Sequence, residues 1–340
     1  MTWTEQKLPA DHPPVASGKV GVLVVNLGTP EAPDAPSVKR YLGEFLSDRR
    51  VIEIPSLVWQ PILRGIILNT RPKKSAHAYS QVWTDEGSPL AAITAQQARG
   101  LQERLGASVM VDWAMRYGAP SIPNQLEKLM QAGCERILLA PLYPQYCAAT
   151  TATVVDKAGD WLREKRWQPS LRTLPPYHDN PAYIAALAQD LCAQLDALAF
   201  VPEVLLLSFH GMPARTLQLG DPYHCHCMKT ARLLEAALAR PSLRMVTTFQ
   251  SRFGRAKWLE PATDTVLEAE ARKGTKRLAI AAPGFSADCL ETLEELAIRG
   301  REQFTEAGGE QFAALSCLNA GDAGMAMLEA LMRRELAGWL

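Results

Sequence analysis

No stretch of this sequence approaches the roughly 18 consecutive apolar residues that a membrane-spanning helix requires, so no such helix is expected. Nor is there a surplus of either charge: 36 Lys and Arg stand against 36 Asp and Glu. A general nucleic-acid binder carries a basic excess, so that class is set aside. The opening residues, Met1 to Gly18, are polar and contain prolines, without the apolar core of a secretory signal. They are expected to form a loose arm on a cytoplasmic protein. Without such a signal, the seven cysteines read as reduced thiols and not as a disulfide frame. What remains is an ordinary globular composition, 47% hydrophobic over 340 residues. That length suits two domains of about 150 residues each.

The most informative stretch is Val204-Leu205-Leu206-Leu207-Ser208-Phe209-His210-Gly211-Met212-Pro213. Its unbroken apolar run marks a strand buried on both faces. Gly211 and Pro213 stop it, which leaves His210 at the carboxyl tip, where open parallel sheets bind ligands. The plain alternative is a histidine that only caps a core strand. Eight predicted strands begin near Val20, Ser108, Arg136, Leu171, Val204, Arg244, Arg277 and Phe312 and alternate with predicted helices. Such alternation gives an α/β protein with parallel sheets flanked by helices. Val51 to Thr70 is apolar and nearly uncharged. It is either a core helix or an exposed lip that meets a hydrophobic ligand or a bilayer surface. Arg71, Lys73 and Lys74 follow as a predicted basic turn.

The halves of the chain rhyme. Asn26-Leu27-Gly28-Thr29-Pro30 parallels Phe209-His210-Gly211-Met212-Pro213. Met115-Arg116-Tyr117-Gly118 parallels Ser251-Arg252-Phe253-Gly254, and Ile137 to Pro141 parallels Leu278 to Pro283. Three matched strand ends in one order imply an internal duplication, two similar α/β domains facing a cleft. Leu27 stands where the second copy has His210, so chemistry is expected in the second copy. Asp288 and Glu291 have capping-box spacing. Glu291 and Glu295, one turn apart, could also aim two carboxylates into the cleft, where they would hold a proton or a cation between them. Opposite a histidine, that pair suits a divalent metal in transit or a coupled proton acceptor. Thr247 to Pro261 is a cationic and aromatic loop. Its Arg252, Arg255 and Lys257 could hold carboxylates, and its Trp258 offers a flat surface or a plain core anchor.

Ser208-Phe209-His210-Gly211-Met212-Pro213, Phe249-Gln250-Ser251-Arg252-Phe253-Gly254, Trp258-Leu259 and Phe285 to Glu295 together resemble ferrochelatase. So do Asn26 to Pro30, Gly87-Ser88-Pro89-Leu90 and Pro141-Leu142-Tyr143-Pro144-Gln145-Tyr146. The likeness runs in family order from about Val20 to Asn319. It implies two Rossmann-like, chelatase-type domains, at 18–175 and 176–322, with a helix at 323–340 that packs back on the first. It also implies insertion of ferrous iron into protoporphyrin IX, the last step of haem synthesis. Iron is then a substrate, and no further cofactor is required. By the same resemblance His210 and Glu291 form the iron site, and Asp288 and Glu295 supply support or a proton path. Arg116 and Tyr117 line the opposite wall. Ser88, Arg71 and Lys73 lie where propionates are held, and Trp258 packs on the macrocycle. The lip would let a greasy substrate pass from a membrane surface.

Three departures qualify the match. Cys289 stands where some relatives have a histidine, and Arg299 where many have an acid, which puts a long acidic relay in doubt. Some relatives carry a 2Fe–2S cluster. Here Cys147, Cys225 and Cys227 with a fourth thiol are its only candidates, and free thiols are the default. The competing readings are a coproporphyrin or cobalt chelatase, or a non-catalytic tetrapyrrole carrier. Oligomeric state has no sequence signal.

Overall fold

The computed structural model describes residues 18–254 and 256–340. The expected arm before Gly18, and Arg255, lie outside the described residues. The first half runs β1 (Lys19–Gly28), α1 (Ala35–Phe45), α2 (Ser56–Ile62), a π-helical turn (Leu63–Ile67), α3 (Leu68–Val82), α4 (Pro89–Leu105), β2 (Val109–Tyr117), α5 (Ile122–Gln131), β3 (Cys134–Pro141), a second π-helical turn (Ala148–Ala152), α6 (Thr153–Arg163) and β4 (Ser170–Thr173). The second half runs α7 (Pro181–Asp196), β5 (Val204–His210), α8 (Ala214–Gln218), α9 (Tyr223–Leu238), β6 (Arg244–Gln250), α10 (Thr263–Arg272), β7 (Arg277–Ala281), a longer π-helical segment (Glu291–Arg299), α11 (Gly300–Glu306), β8 (Gln311–Ala314) and α12 (Asp322–Leu336).

The strands form two four-stranded sheets of identical order, β2-β1-β3-β4 and β6-β5-β7-β8, and every pairing is parallel. The duplication legible in the motifs is therefore a duplication of topology. β1 and β5 are central strands covered on both faces, which is why they read as unbroken apolar runs: Val22 to Val25 and Leu205 to Leu207 are buried. Each such side chain contributes about 1.5–3 kcal/mol by leaving water. At the carboxyl ends the strands crowd. A Cβ on Gly28 would lie 2.0 Å from the Tyr117 carbonyl, and one on Gly211 would lie 2.4 Å from that of Gln250. Only glycine permits either approach.

The register corrects one motif match. Asn26 pairs with Met115 and Gly28 with Tyr117, which sets Leu27 beside Arg116. In the second sheet His210 pairs with Gln250. The counterpart of Arg116 is thus Gln250, and Arg252 lies two residues beyond the strand. One local expectation also shifts. Arg71, Lys73 and Lys74 lie inside α3, not in a turn. Pro61 and Pro72 sit within helices, with the π-helical turn between them breaking the regular ladder. α9 begins at Tyr223 and takes in His224 to Cys227, weak helix formers without periodic signal.

The crossover between the sheets is pinned by two histidines. His178 stacks on His226 of α9, centroids 3.6 Å apart and planes 6° from parallel. His226 Nδ1 accepts the Tyr146 N–H at 3.2 Å, while His178 Nδ1 is buried without a partner. Asp179, ion-paired to Lys229 at 2.5 Å, and Asp221 are the charges that face them. Burial, and then the His226 ring, lower the His178 pKa from its ordinary 6.5 to about 4. A depressed histidine pKa means that the unfolded chain binds the proton more readily. This stability is present above pH 6.5 and is lost as pH falls towards 4. Acidification from pH 7 to 5 is expected to cost about 1–2 kcal/mol from this residue, read as a lower urea midpoint. His178→Phe should flatten that dependence, and an unchanged pH slope would refute the assignment.

Candidate functional site

His210 is the last residue of β5 and half-buried. Its Nδ1 lies 2.7 Å from the Gly211 carbonyl. A carbonyl can only accept, so Nδ1 carries a proton, and in the neutral ring Nε2 is the nitrogen with the lone pair. Glu291 opens the π-helical segment that follows β7. The expected capping box is absent. Asp288 is buried, and its carboxylate instead accepts from the Thr292 hydroxyl at 2.8 Å, the Asn319 amide at 2.7 Å and the Cys317 N–H at 3.3 Å. It clamps the loop before the segment to the β8–α12 connection.

Freed from capping, Glu291 faces α1 and α3 of the first half. Burial raises the Tyr79 phenol, and the Glu291 charge is the next cause; Tyr41 is raised by burial with Glu291 among its neighbours. Glu295 lies one turn on and accepts from Ser251 N–H at 2.8 Å and Ser251 Oγ at 2.5 Å. Burial raises its pKa; the Ser251 bonds and His210 pull it back, and Glu291 pushes it up again. His210, Glu291 and Glu295 therefore share one electrostatic site at the edges of β5 and β7. Behind Glu295 lies a cavity of about 100 Å³, where Arg252 pairs with Asp264 at 2.7 Å.

The other predicted residues have separate placements. Tyr117 is wholly buried, and its hydroxyl donates to Asp48 at 2.9 Å. Arg116 and the Thr153 hydroxyl reach the same carboxylate oxygen, each at 2.5 Å, and the guanidinium lies 4.2 Å over the Tyr117 ring. Burial alone would raise the Asp48 carboxyl, but these bonds and the Arg50 N–H hold it below its ordinary value. Asp48 was missed because its partners are distant in sequence and no local pattern announces them. Ser88 is buried and accepts the Thr29 hydroxyl at 2.8 Å. Trp258 is 8% exposed; its Nε1 donates to the Phe253 carbonyl at 2.9 Å and its ring backs onto Gly211.

The apolar stretch is a lip and not a core helix: Leu57 is 93% exposed, Val58 and Ile66 each 57%. Arg71 lies 5.5 Å over the Phe253 ring, Glu53 pairs with Arg215 at 3.1 Å, and Leu290 packs on the cluster that holds Leu63, so this region meets the second half through two weak polar contacts and one apolar one. Lys73 is exposed beside them.

The three candidate cluster ligands do not converge. Cys147 and Cys227 are buried near one another while Cys225 is exposed, since residues two apart on a helix point to different sides. Among the described residues, no group of three or more His, Cys, Asp or Glu side chains is placed to hold a metal ion. Cys289 is buried, and Arg299 pairs with Glu294 at 2.9 Å. No helix among the described residues is long and apolar enough to cross a membrane.

A ferrochelatase family model matches residues 19–336. A ferrochelatase from Rhizobium meliloti (strain 1021) is 55% identical over 334 residues, covering 97% of this chain and 98% of the relative. One from Methylocella silvestris is 49% identical over 347 residues, covering 99% and 100%. Among solved structures, SirB from Bacillus subtilis with Fe3+ has a TM-score of 0.57 at 12% identity, covering 94% of this chain and 96% of that one. At that identity the likeness speaks for the fold.

Proposed function

This chain belongs to the ferrochelatase family and inserts ferrous iron into a porphyrin; from that premise we propose that the iron is received between His210 and Glu291 and that the porphyrin is protoporphyrin IX. The observation that carries the reading is the Nδ1 contact to the Gly211 carbonyl, which turns the strand-end histidine so that Nε2 is its remaining ring nitrogen, with Glu295 close enough to feel both this ring and Glu291.

Insertion exchanges the two inner pyrrole protons for one divalent cation, so the site must strip water from iron and take up two protons. Nε2 of His210 and the Glu291 carboxylate offer lone pairs to iron as its waters leave, and each is a base for a pyrrole proton. Glu295, with its raised affinity for a proton, is the next acceptor, and the cavity behind it leads towards Arg252 and Asp264. Asp288 acts as a clamp in this scheme. The macrocycle lies against Trp258 and the lip, with its propionates on Arg71 and Lys73, while the buried Tyr117 and Ser88, expected as direct contacts, support the wall from behind. Those remote contacts hold the ring bent, so that pyrrole lone pairs point out of plane.

The exposed lip, with Arg71, Lys73 and Lys74 beside it, rests on an anionic membrane surface when substrate arrives. The thiols stay free. One experiment tests these points: an anaerobic absorbance time course of metallation, with porphyrins bearing two or four propionates, in neutral and in anionic vesicles. Faster turnover is expected for the two-propionate porphyrin and for anionic vesicles. Preference for four propionates would overturn the substrate assignment, equal rates in both vesicles would overturn the membrane contact, and an iron–sulfur absorbance band would overturn the free thiols.

A further inference from the structure

Gln250 occupies the last position of β6, directly beside His210 in the sheet. It is 2% exposed, and both polar atoms of its side chain are engaged. Its Oε1 accepts the Ser208 hydroxyl at 2.7 Å, and its Nε2 donates to the Glu291 carbonyl at 3.2 Å. Its own backbone carbonyl accepts the Gly211 N–H at 2.7 Å. One residue thus touches the strand that carries the imidazole, two residues before it and one after, and also the backbone of the acid. Ser208 is in turn 2.8 Å from Thr263, and Thr263 donates to Thr248 at 2.9 Å. All three hydroxyl residues are buried.

Chemistry orients this bridge. The Glu291 carbonyl can only accept, so the NH₂ end of the Gln250 amide must face it. Oε1 is then the end left to take the Ser208 hydrogen. The Glu291 carbonyl belongs to the first residue of the π-helical segment, so this donor ties the backbone that carries the acid to the end of β6. In the first sheet the same register position holds Arg116, which is committed to Asp48. The scaffold therefore does not need a glutamine here.

We propose that Gln250 is a positioning residue for iron insertion: through Ser208 and the Glu291 carbonyl it holds the acid in register with the imidazole. The proposal rests on the reading that iron is received between His210 and Glu291. Where reacting groups must meet a metal and two pyrrole nitrogens, a displacement of about 1 Å costs on the order of a hundredfold in rate. Porphyrin binding draws on Trp258, the lip and the cations, which Gln250 does not touch.

The test is a double-mutant cycle of Gln250→Met and Ser208→Ala, assayed anaerobically for kcat and for KM of porphyrin and of ferrous iron, with thermal unfolding recorded for each variant. Gln250→Met keeps the length and removes donor and acceptor; its kcat should fall roughly tenfold to a hundredfold with porphyrin KM unchanged. Ser208→Ala removes the Oε1 hold on the amide and should lose roughly threefold to tenfold, with no further loss when added to Gln250→Met. Independent losses, a raised porphyrin KM at unchanged kcat, or a kcat for Gln250→Met within twofold of the parent would each overturn the proposal. Should Gln250→Met fail to fold, Ser208→Ala alone decides, by the kcat loss at unchanged porphyrin KM. If His210→Ala retained turnover, the iron-site reading would fall first, a result separate from either Gln250 outcome.

Discussion

His210→Ala is expected to lower kcat for iron insertion by about 10²–10⁴, while porphyrin still binds and quenches intrinsic fluorescence as in the parent. The expectation follows from the tautomer. With a proton held on Nδ1 by the Gly211 carbonyl, Nε2 is the nitrogen through which the neutral ring acts as a base at the end of β5. Neither neighbour replaces it. Gln250 has no titratable group, and Gly211 has no side chain because the Gln250 carbonyl occupies the space a Cβ would need. The surfaces proposed to hold porphyrin lie on α3, the lip and Trp258, so truncating one imidazole leaves them in place. The measurement is a stopped-flow absorbance trace of metallation beside a fluorescence titration with porphyrin alone. Turnover within tenfold of the parent would remove His210 from the chemistry, and loss of porphyrin binding in step with kcat would make it a packing residue.

Glu291→Gln is expected to be nearly as severe, with kcat down by about 10²–10³ and KM for ferrous iron raised. The substitution keeps shape and the backbone carbonyl that Gln250 holds, and it removes only charge and basicity. It separates the two acids. Glu295 is raised chiefly by burial and is tied by both carboxylate oxygens to Ser251, so it is a poor first ligand and a fair relay. Glu295→Gln should therefore cost less, roughly tenfold, with iron KM unchanged. Were Glu295→Gln the more damaging of the two in the same steady-state assay, the roles assigned to the acids would have to be exchanged.

Several parts of this molecule were legible from neighbouring residues alone. β5 announced itself because a strand buried on both faces must be apolar throughout, and the break at Ser208 to Pro213 marked its tip. The paired motifs at Gly28 and Gly211 carried the duplication, because a backbone carbonyl presses on both glycines and no other residue fits. Asn180 and Pro181 opened α7 as their types require, with Asn180 accepting the Ala182 N–H at 2.9 Å. The capping box at Asp288 failed for a physical reason. Its carboxylate had stronger offers from Asn319 and Thr292, one of them from a segment that the local pattern does not contain. Arg71 to Lys74 failed differently, since Pro72 inside a helix looks like a stop until the π-helical turn before it is known.

Local composition settled the α/β class and the repeat and singled out one histidine and one acid as candidates, because burial and strand-end sterics leave their record in adjacent residues. Tertiary structure alone decided which oxygen holds Arg116, which nitrogen of His210 is free and which amide supports Glu291. Those choices are made by hydrogen bonds between groups as far apart as Thr153 and Asp48, 105 positions along the chain. A chain that must satisfy its buried polar atoms finds such partners by folding, and no run of neighbouring residues encodes them.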